Sequence, residues 1–357
     1  MSHVFVGMSG GVDSSVAALL LQREGYQVSG VNLRLLHNED LGESPEKTCC
    51  TLSDAEDARL VAHRLGIPFY VFDFSQTFRN TVICSFISEY EAGRTPNPCV
   101  TCNRTVKFGA LMQRILALQG DYLATGHYAQ VAQDPGTGRY LLRRGLDRSK
   151  DQSYFLYMLT QEQLSRTLFP LGGLHKEEVR LLAEKNGLIT ARKRDSQDIC
   201  FVPDGDYAAF IDRTTGHPSP CGSFLDMNGT ILAEHKGFIR YTRGQRKGLG
   251  VSAAEPLYVL DKDPVTHAIR LGPDSALWSS SLIADHVNWI SIATLTAPMA
   301  VTAKTRYSHQ ESPAIVEPLP DERIRVTFDA PQRAITPGQA VVLYDGETVV
   351  GGGTICE

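Results

Sequence analysis

No apolar run among the 357 residues approaches the roughly 18 needed to cross a bilayer as a helix, so no membrane span is expected. There is no positive excess either. With 35 Lys and Arg against 40 Asp and Glu the net charge is −5, which excludes a global electrostatic pull toward nucleic acid. Internal repeats and low-complexity tracts are missing, which excludes solenoids and disordered linkers. No Gly-x-x-x-x-Gly-Lys-Ser/Thr occurs, so an ordinary phosphate-gripping lysine loop is excluded. No spaced Gly-x-Gly-x-x-Gly occurs, so a dinucleotide cofactor is not expected. A glycine-rich loop already begins at Gly7, leaving no room for a secretory leader, and a cytoplasmic location is expected. Eight cysteines in such a compartment point to catalysis or metal binding rather than to a disulfide framework.

What is present starts with that loop. Val4-Phe5-Val6 reads as a buried strand, and the good helix formers from Ser15 to Glu24 read as a helix closed by Gly25. Between them lie Gly7, Met8, Ser9, Gly10, Gly11, Val12, Asp13 and Ser14. A strand, a Gly-Gly turn and a helix N-terminus converge backbone N–H groups on an anion, which the helix dipole also favours. Gly10 and Gly11 allow close approach, Ser9, Ser14 and Ser15 offer hydroxyls, and Asp13 is placed for a metal ion or a lysine beside a pyrophosphate. Ser-Gly-Gly-x-Asp-Ser resembles the PP-loop of the ATP pyrophosphatases, which cleave ATP to AMP and pyrophosphate while adenylating a substrate oxygen. The resemblance implies ATP with Mg2+. The alternative is a glycine-rich strand–helix turn without a ligand.

Strands are predicted at 27–33, 68–72 and 122–127, and helices at 53–65 (Ser53 and Glu56 forming a capping box) and 78–92. Residues 37–50 read as a polar loop, and a proline-stiffened segment, Arg94 to Asn103, leads into a helix starting near Arg104. This alternation predicts an α/β fold built on a doubly wound, Rossmann-like parallel sheet, whose ligands gather beyond the strand C-terminal ends. Leu33 and Gly126 fall at that edge together with the loop after Val6. Helices are expected at 153–164 and 175–186. From about residue 217, short alternating apolar runs set between Gly and Pro predict a small central mixed or β domain and a β-barrel domain. The expected domains are 1–207, 208–278 and 279–357.

Two cysteines stand outside periodic apolar elements. Cys102 lies near a predicted helix N-terminus beside Arg104 and Lys107, which favours a thiolate nucleophile. Cys200 lies in a polar, basic loop. Cys99 and Cys102 form a C-x-x-C, open to a redox or half-metal-site reading. Cys84 is read as a core residue, and Cys49, Cys50, Cys221 and Cys356 as small buried hydrophobes. Basic clusters at Arg143, Arg144, Arg148 and Lys150, at Arg192–Arg194, and at Arg240, Arg243, Arg246 and Lys247 are local attractors for RNA or plain solvated surface.

Over its whole length the chain resembles the bacterial tRNA-specific 2-thiouridylases. The resemblance is carried, in order, by Ser9–Ser14, Gly93–Asn103, Ala124–Tyr128, Lys150–Leu156, Asp198–Phe201, Gly244–Gly250, Lys304–Tyr307 and Thr336–Gln339. It implies replacement of the C2 oxygen of the wobble uridine of glutamate, glutamine and lysine tRNAs by sulfur. Residues 7–14, Leu33 and Gly126 would bind ATP. Asn97, Pro98 and Cys99 would meet the target base, and His127, Lys150, Asp151, Gln152, Arg306, Tyr307 and Gln339 would contact tRNA. Cys200 would carry a persulfide received from a sulfur-donor protein, with Cys102 as partner nucleophile and Asp13 serving adenylation. Some members carry Asp where this chain has Cys99. A third cysteine opens a minority reading in which Cys99, Cys102 and Cys200 ligate an iron–sulfur cluster. The rival functions are an amide-forming PP-loop synthetase, which leaves Cys102 and Cys200 idle, and a non-catalytic RNA-binding or redox-sensing protein, which intact Asp13 and Ser14 oppose.

Overall fold

The computed structural model describes residues 1–36, 52–195 and 199–357. The polar loop at 37–50 with Cys49 and Cys50, and the residues Ser196, Gln197 and Asp198, lie outside the described residues.

The chain begins with β1 (His3–Gly7), α1 (Val12–Arg23), β2 (Gln27–Arg34), α2 (Leu52–Leu65) and β3 (Phe69–Asp73). A long helix α3 follows, α-form over Ser75–Phe78, π-form over Arg79–Ile83 and α-form over Cys84–Glu91. Helix α4 is built the same way over Pro98–Cys102, Asn103–Leu111 and Met112–Ala117. Next come β4 (Tyr122–Thr125), β5 (Ala129–Gln133), β6 (Tyr140–Arg144), α5 (Gln161–Ser165), β7 (Thr167–Leu168) and α6 (Lys176–Lys185).

Strands β3, β2, β1, β4 and β7 form, in that order, a parallel sheet. The period of two in β1 explains the layers. Val4 and Val6 pack with Val16 of α1, Ala58 of α2 and Val179 of α6, whereas Phe5 packs with Phe108, Leu111 and Ile115 of α4. Helices therefore cover both faces, as the alternation predicts.

Four local expectations are corrected. Helix α4 starts at Pro98, not near Arg104, because Asn97 caps it by accepting from Val100 N and proline is favoured in a first turn. Residues 153–164 are not one helix: a 3-10 turn at Ser153–Phe155 is followed by turns and only then by α5. Tyr154, Leu156, Tyr157 and Leu159 are buried together against the sheet domain and the C-terminal barrel, and Asn288 Nδ2 holds the carbonyls of Tyr157 and Leu159 at 2.7 and 3.0 Å. Cys84 is exposed rather than in the core. At about 100° per residue it lies roughly 200° around the helix from both Val82 and Phe86, which are buried. Cys221 is exposed as well.

The central region contains α7 (Tyr207–Thr215), β8 (Gly222–Leu225), β9 (Ile231–His235), β10 (Tyr258–Lys262) and β11 (Ile269–Gly272), with sheet order β10-β11-β8-β9. Its Phe224, Val259 and Ile269 share one core with Phe86 and Tyr90 of α3.

The last region contains β12 (Trp278–Trp289), β13 (Met299–Lys304), β14 (Ser312–Pro318), β15 (Ile324–Arg333), β16 (Ala340–Asp345) and β17 (Thr348–Ile355). The order β12-β15-β14-β13-β16-β17 closes through a β12–β17 pairing into a barrel without free edges inside the ring. Strand β15 shows why: Ile324, Val326 and Phe328 point into the core while Arg325 and Thr327 face out. The hairpin of β5 and β6, unforeseen in the sequence, leaves the first domain and joins this sheet at Arg143 opposite Thr348.

Candidate nucleotide and nucleic-acid site

β1 and β4 end side by side at Gly7 and Thr125, with Gly7 opposite Val31 of β2, which runs on to Arg34, so the loop 7–14, Leu33 and Gly126 all lie at the C-terminal edge of the sheet. Two glycines there have no substitute. Gly10 has φ +77°, and a Cβ would lie 2.2 Å from the Asp54 carbonyl oxygen; at Gly126 a Cβ would lie 2.8 Å from the backbone of Asp13 and Ser14. Gly11, the residue before α1, offers no side-chain cap, so the first N–H groups of the helix are left to the loop and to an anion. Ser14 and Ser15 donate to the Gly11 carbonyl at 3.1 and 2.8 Å, and Asn32 Nδ2 donates to the Met8 carbonyl at 2.8 Å.

Asp13 is the charged centre of this edge. Both its oxygens accept from Lys176 Nζ at 2.8 Å, and Tyr128 OH donates to one of them at 2.8 Å. Burial and the Asp13 charge hold the Tyr128 phenol far above its ordinary range, so it remains a donor. Lys176 also meets Asp195 at 2.9 Å, and Asp195 in turn meets Lys150 and Arg180, each at 2.9 Å. Burial works to raise the Asp195 carboxyl, but the bonds and charges of Lys176 and Lys150 bring it below its ordinary value. Tyr128 closes a segment that carries the family resemblance, but Lys176, Asp195 and Arg180 carry no signal of function in the sequence, since their partners are brought by the fold alone.

The loop fits a nucleotide triphosphate, because the uncapped N-terminus of α1 offers backbone N–H groups to phosphate, while Gly10 and Gly126 let the loop pack closely on Asp54 and on the start of α1. Asp13 is a single carboxylate, and among the described residues no group of three or more His, Cys, Asp or Glu side chains is arranged to hold a metal ion. Such a donor set suits Mg2+ carried mainly by phosphate oxygens. The same finding means that Cys99, Cys102 and Cys200 are not gathered as a ligand set in this conformation.

Asn97, Pro98 and Cys99 form the first turn of α4, with Pro98 buried and Cys99 exposed. Their approach segment is pinned by Gln339, whose Nε2 donates to the carbonyls of Thr95 and Pro96 at 2.9 and 3.2 Å. Cys102 is buried, and Cys200 is half-buried against the same cluster, which includes Phe78, Phe86 and Phe201. Asn103 donates to the Phe155 carbonyl at 3.0 Å, and the Phe155 ring lies 4.5 Å from that of Tyr307.

The other residues implicated in nucleic-acid contact differ in availability. Lys150 is partly exposed with its amine on Asp195. Asp151 is buried and accepts from Gly145 N and from the backbone and hydroxyl of Ser153, holding its own turn. Gln152 Oε1 accepts from Tyr128 N at 3.0 Å. Arg306 donates to the Ala334 carbonyl and to Thr336 Oγ1. His127 Nδ1 lies 2.7 Å from Thr125 Oγ1, and its ring packs beside those of Phe108 and Phe169, which also meet each other. Burial, aided by the Lys107 charge, pushes its imidazolium down to about 3, so the ring is neutral near pH 7.

The basic clusters are partly consumed within the fold. Arg144 is buried, pairs with Glu311 and lies 3.7 Å over the Tyr344 ring. Lys193 pairs with Asp54 and Asp57 at 2.6 and 2.5 Å.

The fold and the loop together define an α/β nucleotide-binding enzyme of the HUP class with two β-domains appended. The family model described as tRNA methyl transferase HUP domain matches residues 2–204, a tRNA methyl transferase PRC-barrel domain matches 209–273, and an aminomethyltransferase beta-barrel domain matches 279–355. The chain is 51% identical to tRNA-specific 2-thiouridylase MnmA 1 of Caldanaerobacter subterraneus subsp. tengcongensis, over 99% of this chain and 98% of that protein. It is 53% identical to tRNA-specific 2-thiouridylase MnmA of Heliobacterium modesticaldum, over 99% and 92%, and 49% identical to that of Clostridioides difficile, over 99% and 97%. The chain belongs to the tRNA-specific 2-thiouridylase family. No helix among its described residues is long and apolar enough to cross a membrane.

Proposed function

We propose that the chain is a cytoplasmic tRNA-uridine 2-sulfurtransferase, replacing the C2 oxygen of the wobble uridine of glutamate, glutamine and lysine tRNAs with sulfur at the expense of ATP. The supporting observation is that Cys102 and Cys200, far apart in sequence, border one hydrophobic cluster next to the ATP-loop domain's helices. An amide-forming synthetase has no use for such a pair.

A uracil carbonyl oxygen is a poor leaving group. Adenylation joins it to the α-phosphate of ATP and expels pyrophosphate, after which the oxygen departs with AMP. The loop 7–14, Leu33 and Gly126 would cradle ATP. Mg2+, held by phosphate oxygens with Asp13, would neutralise charge on the departing pyrophosphate. Lys176 beside Asp13 supports the same task. Asn97, Pro98 and Cys99 would receive the base after it is splayed from the anticodon loop, and a capped, proline-stiffened turn suits that role. His127, Lys150, Asp151, Gln152, Arg306, Tyr307 and Gln339 would contact or frame the tRNA, His127 as a neutral hydrogen-bonding ring.

A sulfur-donor protein would load Cys200 as a persulfide. The terminal sulfur attacks C2 and AMP leaves. The Cys102 thiolate then attacks the Cys200 sulfur, breaking the S–S bond, releasing the thiocarbonyl and leaving a Cys102–Cys200 disulfide for an external thiol to reduce. The test is mass spectrometry of tRNA incubated with the protein, ATP and a persulfide donor. The expected product is 2-thiouridine at the wobble position with AMP and pyrophosphate formed alongside; unmodified tRNA with no AMP would overturn the assignment.

A further inference from the structure

Four charged side chains join the ATP loop to the surface. Lys150 Nζ lies 2.9 Å from one oxygen of Asp195, and the other oxygen lies 2.9 Å from both Lys176 Nζ and Arg180. Lys176 reaches on to both oxygens of Asp13. The ends differ in their access to water: the Lys150 side chain is 37% exposed and that of Lys176 only 10%. Arg180 is fixed, since its other amino group donates to the carbonyls of Ala191 and Lys193 at 3.1 Å. Lys150 is therefore the member a solvent-borne anion can take, and Lys176 is the member that senses its departure.

From this arrangement we propose that Asp195 is a positioning residue that couples capture of a tRNA phosphate by Lys150 to release of Asp13 by Lys176. The proposal rests on the tRNA-thiolation reading above. When Lys150 turns to a phosphate, the Asp195 charge is balanced by Lys176 and Arg180 alone, and in these half-buried surroundings the pull on Lys176 is weakly screened. Lys176 shifts its weight from Asp13 to Asp195, and Asp13 becomes available to the magnesium–nucleotide complex. tRNA and nucleotide then bind with positive cooperativity, and linkage makes the effect reciprocal. Adenylation is thereby held back until tRNA is present.

The test is calorimetric titration of the full-length protein with the magnesium complex of the α,β-methylene analogue of ATP, which cannot release pyrophosphate, with and without tRNA. For the unaltered protein, tRNA should tighten analogue binding by about 5-fold or more. Lys150→Gln should bind the analogue more tightly without tRNA and gain nothing further when tRNA is added. Asp195→Asn should bind it more weakly and also lose the gain, while still binding tRNA through the other contacts. An unchanged gain in Asp195→Asn and Lys150→Gln, or no gain in the unaltered protein although it thiolates tRNA, would overturn the coupling alone. Failure of the unaltered protein to bind or thiolate tRNA would defeat the underlying reading as well.

Discussion

Lys176 Nζ lies 2.8 Å from each carboxylate oxygen of Asp13, a pairing of residues 163 positions apart that puts a buried cation at the mouth of the ATP loop. Asp13 is thereby held at the N-terminus of α1 with a defined orientation. Asp13→Asn keeps the shape and removes the charge. tRNA-dependent AMP formation should fall by about 100-fold or more, as for other contacts made chiefly in the transition state, with an unchanged circular dichroism spectrum. Normal AMP formation would remove Asp13 from the mechanism.

The close packing of Gly126 on the loop makes a second prediction. A Cβ there would lie 2.8 Å from backbone atoms of Asp13 and Ser14, whereas a Cβ on Gly7 would meet nothing nearer than 3.7 Å. Gly126→Ala should cost about 1–3 kcal/mol of stability, as overpacking does, and weaken ATP binding. Gly7→Ala should unfold close to the unaltered protein. Thermal denaturation of the two variants side by side checks this.

These residues also divide what the sequence discloses from what it hides. The loop, α1 and four of the five parallel strands are legible because each is a local pattern: a Gly-Gly turn, a 3.6-residue period, a short β-branched run. The barrel was legible as alternation in segments such as Ile324–Phe328. The hairpin of β5 and β6 was not, because its reason to exist is a partner strand some 200 residues later, at Thr348. Likewise Lys176, the first residue of a helix, looks like any surface lysine until the fold brings Asp13 to it. The start of α4 was missed because two prolines near Asn97 read as an extended loop, although proline after a capping asparagine also begins a helix.

His127 sets a pH dependence. Its folded-state pKa is pushed down to about 3 from 6.5 by burial first and by the Lys107 charge second. Between these values the unfolded chain binds a proton that the folded chain refuses, so the stability tied to neutral His127 is whole above pH 6.5 and is lost progressively as pH falls toward 3. Urea denaturation at pH 7.5 and 5 should show the unaltered protein losing more stability than His127→Asn. Equal losses would mean that the ring titrates normally in the folded state.

Lys150 provides a test of the nucleic-acid face. Lys150→Ala should weaken tRNA binding and reduce the slope of log affinity against log salt by about 0.7–0.9, the value for one phosphate contact. Filter binding across a salt series measures it. A slope identical to that of the unaltered protein would exclude Lys150 as a phosphate ligand.

The most direct measurement of the central claim is thiolation of tRNA by iron-free protein supplied with ATP and a persulfide donor, read by mass spectrometry of the wobble nucleoside. The persulfide route predicts 2-thiouridine from the unaltered protein and from Cys99→Asp, and none from Cys102→Ala or Cys200→Ala. A Cys102–Cys200 disulfide should accumulate after one turnover when no reductant is present. Thiolation only after iron is loaded, with Cys99→Asp as inactive as the other two variants, would contradict this account and assign the three cysteines to a cluster instead.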